Sequence, residues 1–242
     1  MMSLALKLAL SPLLVAQAVT TRRRAPVLPE AAGPRTGVIG EGRPLRVLII
    51  GDSSGAGVGV PTQDLALAGH LTRTLAEAAG RRVHWWLIAK SGITTAQALD
   101  LVQRERPPKA DVAVAVLGVN DVIDQVPSHR AVQQRAALAD WLLAHAGARH
   151  VVFAPLPPMH QFPLLPQPLR WIVGRDARRH DLAMARWAAG RNDLWHVPID
   201  ISLAADCMAS DGFHPGEPVY RTCGEALARF IANELYPTET NA

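Results

Sequence analysis

From residue 45 onward, short apolar runs alternate with segments of helical periodicity, and this alternation restricts the fold more than any other feature. The runs are apolar on successive positions, which indicates strands that are buried on both faces. Five such strands are predicted, at residues 45–50, 83–89, 112–117, 150–154 and 194–197. Strands that are joined through helices run parallel, and their crossovers are right-handed. The sequence therefore predicts an α/β fold, a three-layer, doubly wound, flavodoxin-like domain with a mostly parallel five-stranded sheet and helices on both faces.

The segments between these strands have helical periodicity and recognisable ends. Helices are predicted over residues 63–79, 94–104, 128–146, 176–189 and 218–235. Thr94 or Thr95 is expected to cap the second of them, because a threonine side chain can accept a hydrogen bond from the first helical turn. Residues 155–168 contain six prolines, so an irregular loop is predicted over residues 155–174, after the fourth strand.

Positive charge is concentrated ahead of this domain. Residues 1–46 contain seven basic and two acidic residues, whereas the rest of the chain contains 18 basic and 19 acidic residues. The net charge of +4 thus belongs to the N-terminal segment, and no zinc-finger pattern or basic–aromatic stripe follows it, so nucleic-acid binding is not expected. We predict an apolar and basic segment with a linker at residues 1–44, and a folded domain at residues 45–242.

The N-terminal segment is apolar from Leu4 to Val19 and is followed by three arginines at residues 22–24. Lys7 and Pro12 interrupt the apolar stretch, which makes it a poor membrane span. We expect a short helix at residues 4–24 that lies on the domain or makes a peripheral membrane contact. The protein is then cytoplasmic or peripherally associated with the inner membrane, while a cleaved export signal remains the alternative because residues 16–18 have the A-x-A form.

The loop after the first predicted strand places a serine among glycines, between Gly51 and Gly59. It does not complete a dinucleotide fingerprint, because Val60 stands where the third glycine should be, and it lacks the Gly-Lys-Ser/Thr of a P-loop. Residues 51–55 satisfy the G-x-S-x-G pattern of a nucleophile elbow, but that elbow follows a later, central strand. A third interpretation makes Ser53 a nucleophile that a distant histidine activates.

Other loops contain the groups that such chemistry needs. Gly92 follows the second predicted strand and Asn120 follows the third, so a backbone N–H and a side-chain amide are available for an oxyanion. Asp211 and His214 are three residues apart in a Gly/Pro loop. A turn there brings the carboxylate to one imidazole nitrogen and leaves the other for Ser53. Asp52 is expected to stabilise its own turn.

The segments G-D-S, Gly92, G-x-N-D and D-G-x-H-P occur in this order and resemble the blocks of the SGNH (GDSL-type) hydrolase family over residues 47–216. Ser54 replaces the leucine of the four-letter signature, a position that is not catalytic. The resemblance implies a catalytic triad and an oxyanion hole, and it implies neither a metal nor an organic cofactor. The implied residues are Ser53, Asp211 and His214 for the triad and Ser53, Gly92 and Asn120 for the oxyanion hole. Asp121 is expected to cap or hold its loop.

This resemblance implies a serine hydrolase that cleaves small-molecule carboxylic esters with short to medium acyl chains through an acyl-enzyme. Carbohydrate O-deacetylation and thioester hydrolysis stay open, because the same triad serves both, and a catalytically idle binding domain is the non-enzymatic alternative. Met159, Phe162 and Trp171 in the proline-rich loop are predicted to form a wall for the substrate, unless that loop simply packs on the surface. Cys207 and Cys223 flank the His214 loop and are expected to be free thiols, or a disulfide after export.

Overall fold

The computed structural model describes the backbone of residues 4–237 and the side chains of residues 10–237. Its centre is one six-stranded sheet with the strand order β1-β3-β2-β4-β5-β6. The strands are β1 (Thr36–Ile39), β2 (Pro44–Gly51), β3 (Arg82–Ala89), β4 (Val112–Val116), β5 (His150–Phe153) and β6 (Leu194–His196). Strand β1 is antiparallel to β3, and all other pairs are parallel. The predicted doubly wound α/β fold is thereby confirmed.

The prediction of five strands was wrong by one, because β1 was missed. This edge strand has only four residues, and its burial alternates between exposed and half-buried positions. It lies within residues 1–44, the segment predicted as an apolar and basic region with a linker, so the sheet begins before residue 45. An edge strand with one partner needs little apolar patterning, which is why a search for buried runs does not detect it.

Seven α-helices surround the sheet in the described part of the chain. They are α1 (Leu4–Arg24), α2 (Leu67–Ala79), α3 (Thr95–Glu105), α4 (Val119–Ile123), α5 (Ser128–His145), α6 (Leu169–Ala188) and α7 (Glu217–Phe230), the last continuing as a π-helical turn over Ile231–Leu235. Helices α2 and α7 pack together, and α3, α5 and α6 pack in series. Because right-handed crossovers from β2 to β3 and from β3 to β4 run in opposite directions along the sheet, these two groups cover opposite faces.

The helix ends follow local sequence signals. Thr94 caps α3 through a capping box with Gln97, as predicted. Helix α6 begins at Leu169 instead of residue 176, so the irregular segment after β5 is shorter than expected. The helix can begin this early because side chains bind its first backbone N–H groups. Gln167 accepts a hydrogen bond from the Trp171 N–H at 3.2 Å, and Gln17 accepts one from the Leu169 N–H at 3.2 Å. These acceptors satisfy N–H groups of the first helical turn.

The strand register fixes where the loops with polar groups begin. Gly51, the last residue of β2, is paired with Ala89 at the end of β3 and with Val116 at the end of β4. The three strands run parallel, so the loops that follow them leave the sheet at the same level and the same edge. This register brings Ser53 and Gly92 onto neighbouring loops and places Asn120 beside them in α4, the short helix that follows β4.

Candidate active site

The Ser53 loop is a tight reversal that depends on two glycines. A Cβ on Gly51 would lie 2.5 Å from the Gly55 Cα, and a Cβ on Gly55 would lie 2.6 Å from the Gly51 Cα, so the chain folds back on itself only without side chains there. The Asp52 carboxylate accepts a hydrogen bond from the Ser54 N–H at 2.9 Å, which is the turn-stabilising contact expected from the sequence. Ser53 is left half-buried at the tip of the loop.

Asp52 itself is fully buried beneath this turn. Burial raises the pKa of Asp52 to about 7, with a further contribution from the negative charge of Asp121 and an opposing one from the Ser54 N–H. The pKa is raised because a buried carboxylate is costly unless it is compensated.

Asp211 and His214 come together by a local turn, as the three-residue spacing predicts. The Asp211 Oδ2 lies 2.6 Å from the His214 Nδ1. The other oxygen, Oδ1, accepts hydrogen bonds from the Phe213 and His214 N–H groups, each at 2.9 Å. Burial alone would raise the pKa of Asp211, but the His214 hydrogen bonds and the Phe213 N–H outweigh it, and the pKa lies below its ordinary value. Asp211 is therefore a carboxylate at neutral pH.

His214 bridges this carboxylate and the serine. Its Nε2 lies 3.0 Å from the Ser53 Oγ, across 161 positions of sequence. With Nδ1–H donating to Asp211, the neutral tautomer has an unprotonated Nε2 that can accept the proton of the Ser53 hydroxyl. The three predicted triad residues are therefore brought together in hydrogen-bonding geometry.

Three contacts next to the triad hold the Ser53 loop and the His214 loop in place. The Val58 N–H donates to the Ser53 carbonyl at 3.0 Å, and the Tyr220 hydroxyl of α7 donates to the Val58 carbonyl at 2.6 Å. Gly59 allows the Pro215 carbonyl to approach so closely that a Cβ would overlap it. Contacts from Pro215 and from the beginning of α7 thus hold the His214 loop next to the Ser53 loop.

Two of the three predicted oxyanion residues, Gly92 and Asn120, lie on segments that are hydrogen-bonded to each other, and Asn120 belongs to the short helix α4. The Asn120 Nδ2 donates a hydrogen bond to the Ile93 carbonyl at 2.9 Å, which leaves its second N–H hydrogen available. Gly92 precedes Ile93, is exposed, and has a φ of +80°, with no atom within 4 Å of where a Cβ would stand. The Gly92 backbone is therefore uncovered beside a side-chain amide whose direction is fixed.

Asp121 of α4 joins this helix to the beginning of α3 on the buried side of the site. It is fully buried and accepts hydrogen bonds from the Thr95 N–H at 3.0 Å and the Thr95 hydroxyl at 2.5 Å. The structure thus shows Asp121 in the loop-holding position expected from the sequence. Under it lies Arg135 of α5, also buried, with its Nη2 3.5 Å from the Asp121 Oδ2. A Cβ on Gly118 would overlap this guanidinium, so the loop of Asn120 rests directly on a buried arginine.

Sequence reasoning missed Glu30, Arg35 and Arg135. Glu30 accepts hydrogen bonds from the Ser91 N–H at 2.7 Å and the Ser91 hydroxyl at 2.8 Å, and Arg35 pairs with Glu30 and donates to the Ala89 carbonyl at 2.6 Å. Both residues lie in the segment assigned to the linker. Glu30 stands in a segment without helical or strand periodicity, so nothing in the neighbouring sequence indicates that it contacts Ser91.

The structure does not bring the predicted wall residues onto one open surface. Met159 is fully buried and offers no surface to a substrate, so its assignment to the wall was wrong. Phe162 is also buried, and its ring meets the Phe213 ring at a centroid distance of 5.0 Å, while Phe213 in turn lies 5.2 Å from the His214 ring. Phe162 therefore supports the histidine loop from behind. Trp171 lies on the solvent face of α6, under the guanidinium of Arg175.

The two cysteines near the histidine loop are free thiols in the structure. Cys207 is half-buried and Cys223 is buried in α7. The His214 loop is held instead by backbone hydrogen bonds, from the Ala209 N–H to the His214 carbonyl at 2.9 Å and from the Gly216 N–H to the Cys207 carbonyl at 2.8 Å.

Solved structures with this fold are similar to the chain at low sequence identity. The lipase Lip_vut3 from a goat rumen metagenome is 16% identical, with a TM-score of 0.60 over 76% of this chain and 95% of its own. The esterase EstA from Pseudoalteromonas sp. is 21% identical, with a TM-score of 0.52 over 76% and 92%. An aryl esterase from M. smegmatis is 20% identical, with a TM-score of 0.55 over 79% and 100%.

At these identities the likeness establishes the fold, and the family rests on the sequence itself. No curated protein matches the chain. The model of the GDSL-like lipase/acylhydrolase family matches residues 49–222, a span that contains Ser53, Gly92, Asn120, Asp211 and His214. Because this match covers more than half of the sequence, the chain belongs to the GDSL-like lipase/acylhydrolase family and is a hydrolase of the esterase and lipase type.

Proposed function

We propose that the protein hydrolyses carboxylic esters through an acyl-enzyme intermediate on Ser53. The observation that carries this proposal is the hydrogen-bonded series from the Asp211 Oδ2 through His214 to the Ser53 Oγ, with distances of 2.6 and 3.0 Å. A serine hydroxyl is a weak nucleophile at neutral pH unless a base removes its proton during attack. His214 is oriented for this role by a buried carboxylate.

In the first half of the reaction, the Ser53 Oγ bonds to the ester carbonyl carbon while the His214 Nε2 takes the hydroxyl proton. The carbon–oxygen bond to the alcohol then breaks, and the imidazolium returns its proton to the leaving oxygen. In the second half, His214 takes a proton from water as the water oxygen attacks the acyl carbon. The Ser53 Oγ leaves with that proton and the free acid is released. Asp211 keeps the tautomer and stabilises the imidazolium throughout.

The tetrahedral oxyanion would be bound by the Ser53 N–H, the Gly92 N–H and the Asn120 side chain. This assignment is supported by the bond between Asn120 and the Ile93 carbonyl, which sets the amide beside the exposed Gly92. Donors that are already fixed need no reorganisation when charge develops. Loss of one such donor typically costs about 3–4 kcal/mol of transition-state stabilisation.

Short to medium acyl chains are the proposed substrates. The segment that precedes α6 packs against the catalytic loop rather than standing apart as a lid, since the Leu164 N–H donates to the Gly212 carbonyl at 3.0 Å and Phe162 lies against Phe213. A triad of this kind also cleaves thioesters and acetylated sugars, and these classes remain the alternative substrates. Neither nucleic acid nor a cofactor enters this proposal.

A fluorophosphonate probe and a p-nitrophenyl ester series test the mechanism. We expect covalent labelling of Ser53, and we expect Ser53→Ala to lose both labelling and turnover. Ser54→Ala is the matched control, because it removes the neighbouring hydroxyl while Asp52 still accepts the backbone N–H of residue 54. Turnover that survives in Ser53→Ala, or is lost equally in Ser54→Ala, would reject Ser53 as the nucleophile.

The substrate class is tested with matched acyl groups. Acetyl, butyryl and octanoyl groups are offered as p-nitrophenyl esters and as thioesters, together with an acetylated oligosaccharide. The proposal expects kcat/KM to be highest for short or medium oxygen esters. A preference for the thioester or the acetylated sugar selects an alternative substrate class, and the absence of both probe labelling and turnover indicates the catalytically idle binding domain.

A further inference from the structure

Helix α6 presents an unusual stripe of side chains to solvent. Trp171, Arg175, Arg178, Leu182 and Arg186 follow one another at intervals of four, three, four and four residues, which places them on one face of a helix. Trp171 and Leu182 are 49% and 46% exposed. Arg179 borders the stripe, and a groove beside Ser128 at the start of α5 is lined by the same arginines.

The positive charge of this stripe is only partly compensated. Arg175 contacts Asp176 at 3.3 Å, but Arg178, Arg179 and Arg186 are exposed and form no ion pair with a residue in the described part of the chain. The other acidic residue of α6, Asp181, is turned inward, where it accepts from the Leu156 N–H and binds His196. The outward face of α6 thus combines two apolar side chains with a cluster of arginines.

Helix α1 lies beside the beginning of this stripe. The Gln17 side chain donates to the Gln167 carbonyl at 2.7 Å and accepts from the Leu169 N–H at 3.2 Å. On α1, Val15 and Val19 are 61% and 43% exposed, and the helix ends in the exposed residues Arg22, Arg23 and Arg24. Helix α1 therefore has the same combination as α6, uncovered apolar side chains next to arginines, and it contacts the start of α6 through Gln17.

We propose that these two helices form a docking face for an anionic lipid bilayer. The face consists of Val15, Val19 and residues 22–24 on α1, and of Trp171, Arg175, Arg178, Arg179, Leu182 and Arg186 on α6. Arginines attract anionic headgroups, and valine, leucine and tryptophan partition into the interfacial region below them. None of the described helices is long and apolar enough to cross a membrane, which fits a face that lies on the bilayer surface.

The docking face is connected to the proposed catalytic loop. Residues 162–168 lead directly into α6, and within them the Leu164 N–H bonds the Gly212 carbonyl, two residues before His214. The chain that leaves the docking face at the start of α6 is thus hydrogen-bonded to the loop that carries His214. The proposal goes beyond ester hydrolysis and does not depend on it, since the face would bind lipid whatever the enzyme cleaves.

Co-sedimentation of the full chain with vesicles tests the docking face. We expect binding to vesicles of phosphatidylglycerol and phosphatidylcholine, weak binding to pure phosphatidylcholine, and loss of binding as the salt concentration rises. Arg178→Gln/Arg179→Gln should weaken binding about 25-fold, because each basic side chain near an anionic surface changes affinity about fivefold. The matched control is Arg82→Gln/Arg104→Gln, which removes two exposed arginines from β3 and α3 and should bind as the wild type does.

The apolar part of the face has its own test. Val19→Asp and Leu182→Asp should each weaken binding, whereas Val38→Asp, at an exposed valine on β1, should not. Hydrolysis of soluble p-nitrophenyl acetate without vesicles should be the same in all these variants, which separates this test from that of Ser53. Equal binding to both vesicle types, equal loss in the control variants, or retention on RNA without binding to vesicles would overturn the proposal.

Discussion

The Glu30 carboxylate accepts hydrogen bonds from both the backbone N–H and the hydroxyl of Ser91, at 2.7 and 2.8 Å. Ser91 directly precedes Gly92, whose N–H is proposed to bind the oxyanion. Arg35 holds Glu30 from the other side and also bonds the Ala89 carbonyl. The segment ahead of the central sheet therefore fixes the backbone of the loop on which the proposed oxyanion hole depends.

Replacing Glu30 should reduce turnover more than substrate affinity. In Glu30→Ala the Ser91 N–H loses its acceptor, and the loop that contains Gly92 becomes less rigid. We therefore expect kcat for p-nitrophenyl acetate to fall about tenfold, with little change in KM. This fall is smaller than the one expected when an oxyanion-hole donor is removed altogether. Glu30→Gln keeps an acceptor oxygen and should recover part of kcat. Glu41→Ala, at an exposed acid in the turn before β2, serves as the control. A change in KM alone would show that Glu30 does not act through the oxyanion loop.

Asn120→Ala should have a larger effect on the same rate constant. The substitution removes a proposed oxyanion donor and also the bond that ties the loop to the Ile93 carbonyl. We expect kcat to fall about 10²- to 10³-fold, while labelling by a fluorophosphonate slows in parallel and the protein remains folded. Steady-state kinetics of Asn120→Ala would measure the fall in kcat, with Asn192→Ala, at an exposed asparagine, as the control. A fall of less than about fivefold would contradict the assignment of Asn120 to the oxyanion hole.

The arrangement of the site could largely be predicted because it follows from parallel strands. Once β2, β3 and β4 are recognised as buried strands, Ser53, Gly92 and Asn120 must leave the sheet at one edge, and the register of Gly51 with Ala89 and Val116 shows this. The contact of Asp211 with His214 is local and follows from their spacing. The contact between His214 and Ser53 spans 161 positions, so it could be expected only because both loops were placed at one edge of the sheet and because the family resemblance implied a triad.

What the sequence did not reveal depends on contacts between distant segments. Glu30 meets Ser91 across 61 positions, and β1 joins the sheet edge although its residues show no run of apolar positions. Met159 was instead given a role that it does not have. An apolar residue in a proline-rich loop gives no indication of whether it faces a substrate or the core. Its complete burial is decided by packing, which local patterns do not encode.

The buried carboxyl group of Asp52 makes the stability of the protein depend on pH. Its pKa is raised to about 7 in the folded protein, whereas an aspartate in an unfolded chain titrates near about 3.9. The folded state therefore binds more protons than the unfolded state between these values, so the free energy of unfolding falls as pH rises through this window. Asp52→Asn should remove the penalty, because an amide still accepts from the Ser54 N–H and carries no charge.

Urea unfolding of wild type and Asp52→Asn at about pH 5 and about pH 8 measures this difference. We expect the variant's advantage to be larger at the higher pH by about 3 kcal/mol, because about two of the three pKa units by which the folded and unfolded values differ lie between these two pH values. Asp64→Asn removes an exposed carboxylate and should leave the pH dependence as it is in the wild type. An advantage that is the same at both pH values would mean that Asp52 is already ionised in the folded protein at the lower pH.

Arg135 of α5 and Asp121 of α4, the residue after Asn120, form a buried pair whose side chains are almost completely inaccessible. Burial lowers the pKa of Arg135, while Asp121 and Asp181 oppose that effect. Arg135→Met should destabilise the protein by about 3–5 kcal/mol, since it leaves a buried carboxylate without its cation. In Arg135→Met/Asp121→Asn the charge is absent on both sides, so most of the lost stability should return. Denaturant titrations measure the free energy of unfolding of both variants, with Arg130→Met, at an exposed arginine, as the control. If the double variant were less stable than the single one, Arg135 would act through packing under Gly118 and not through charge.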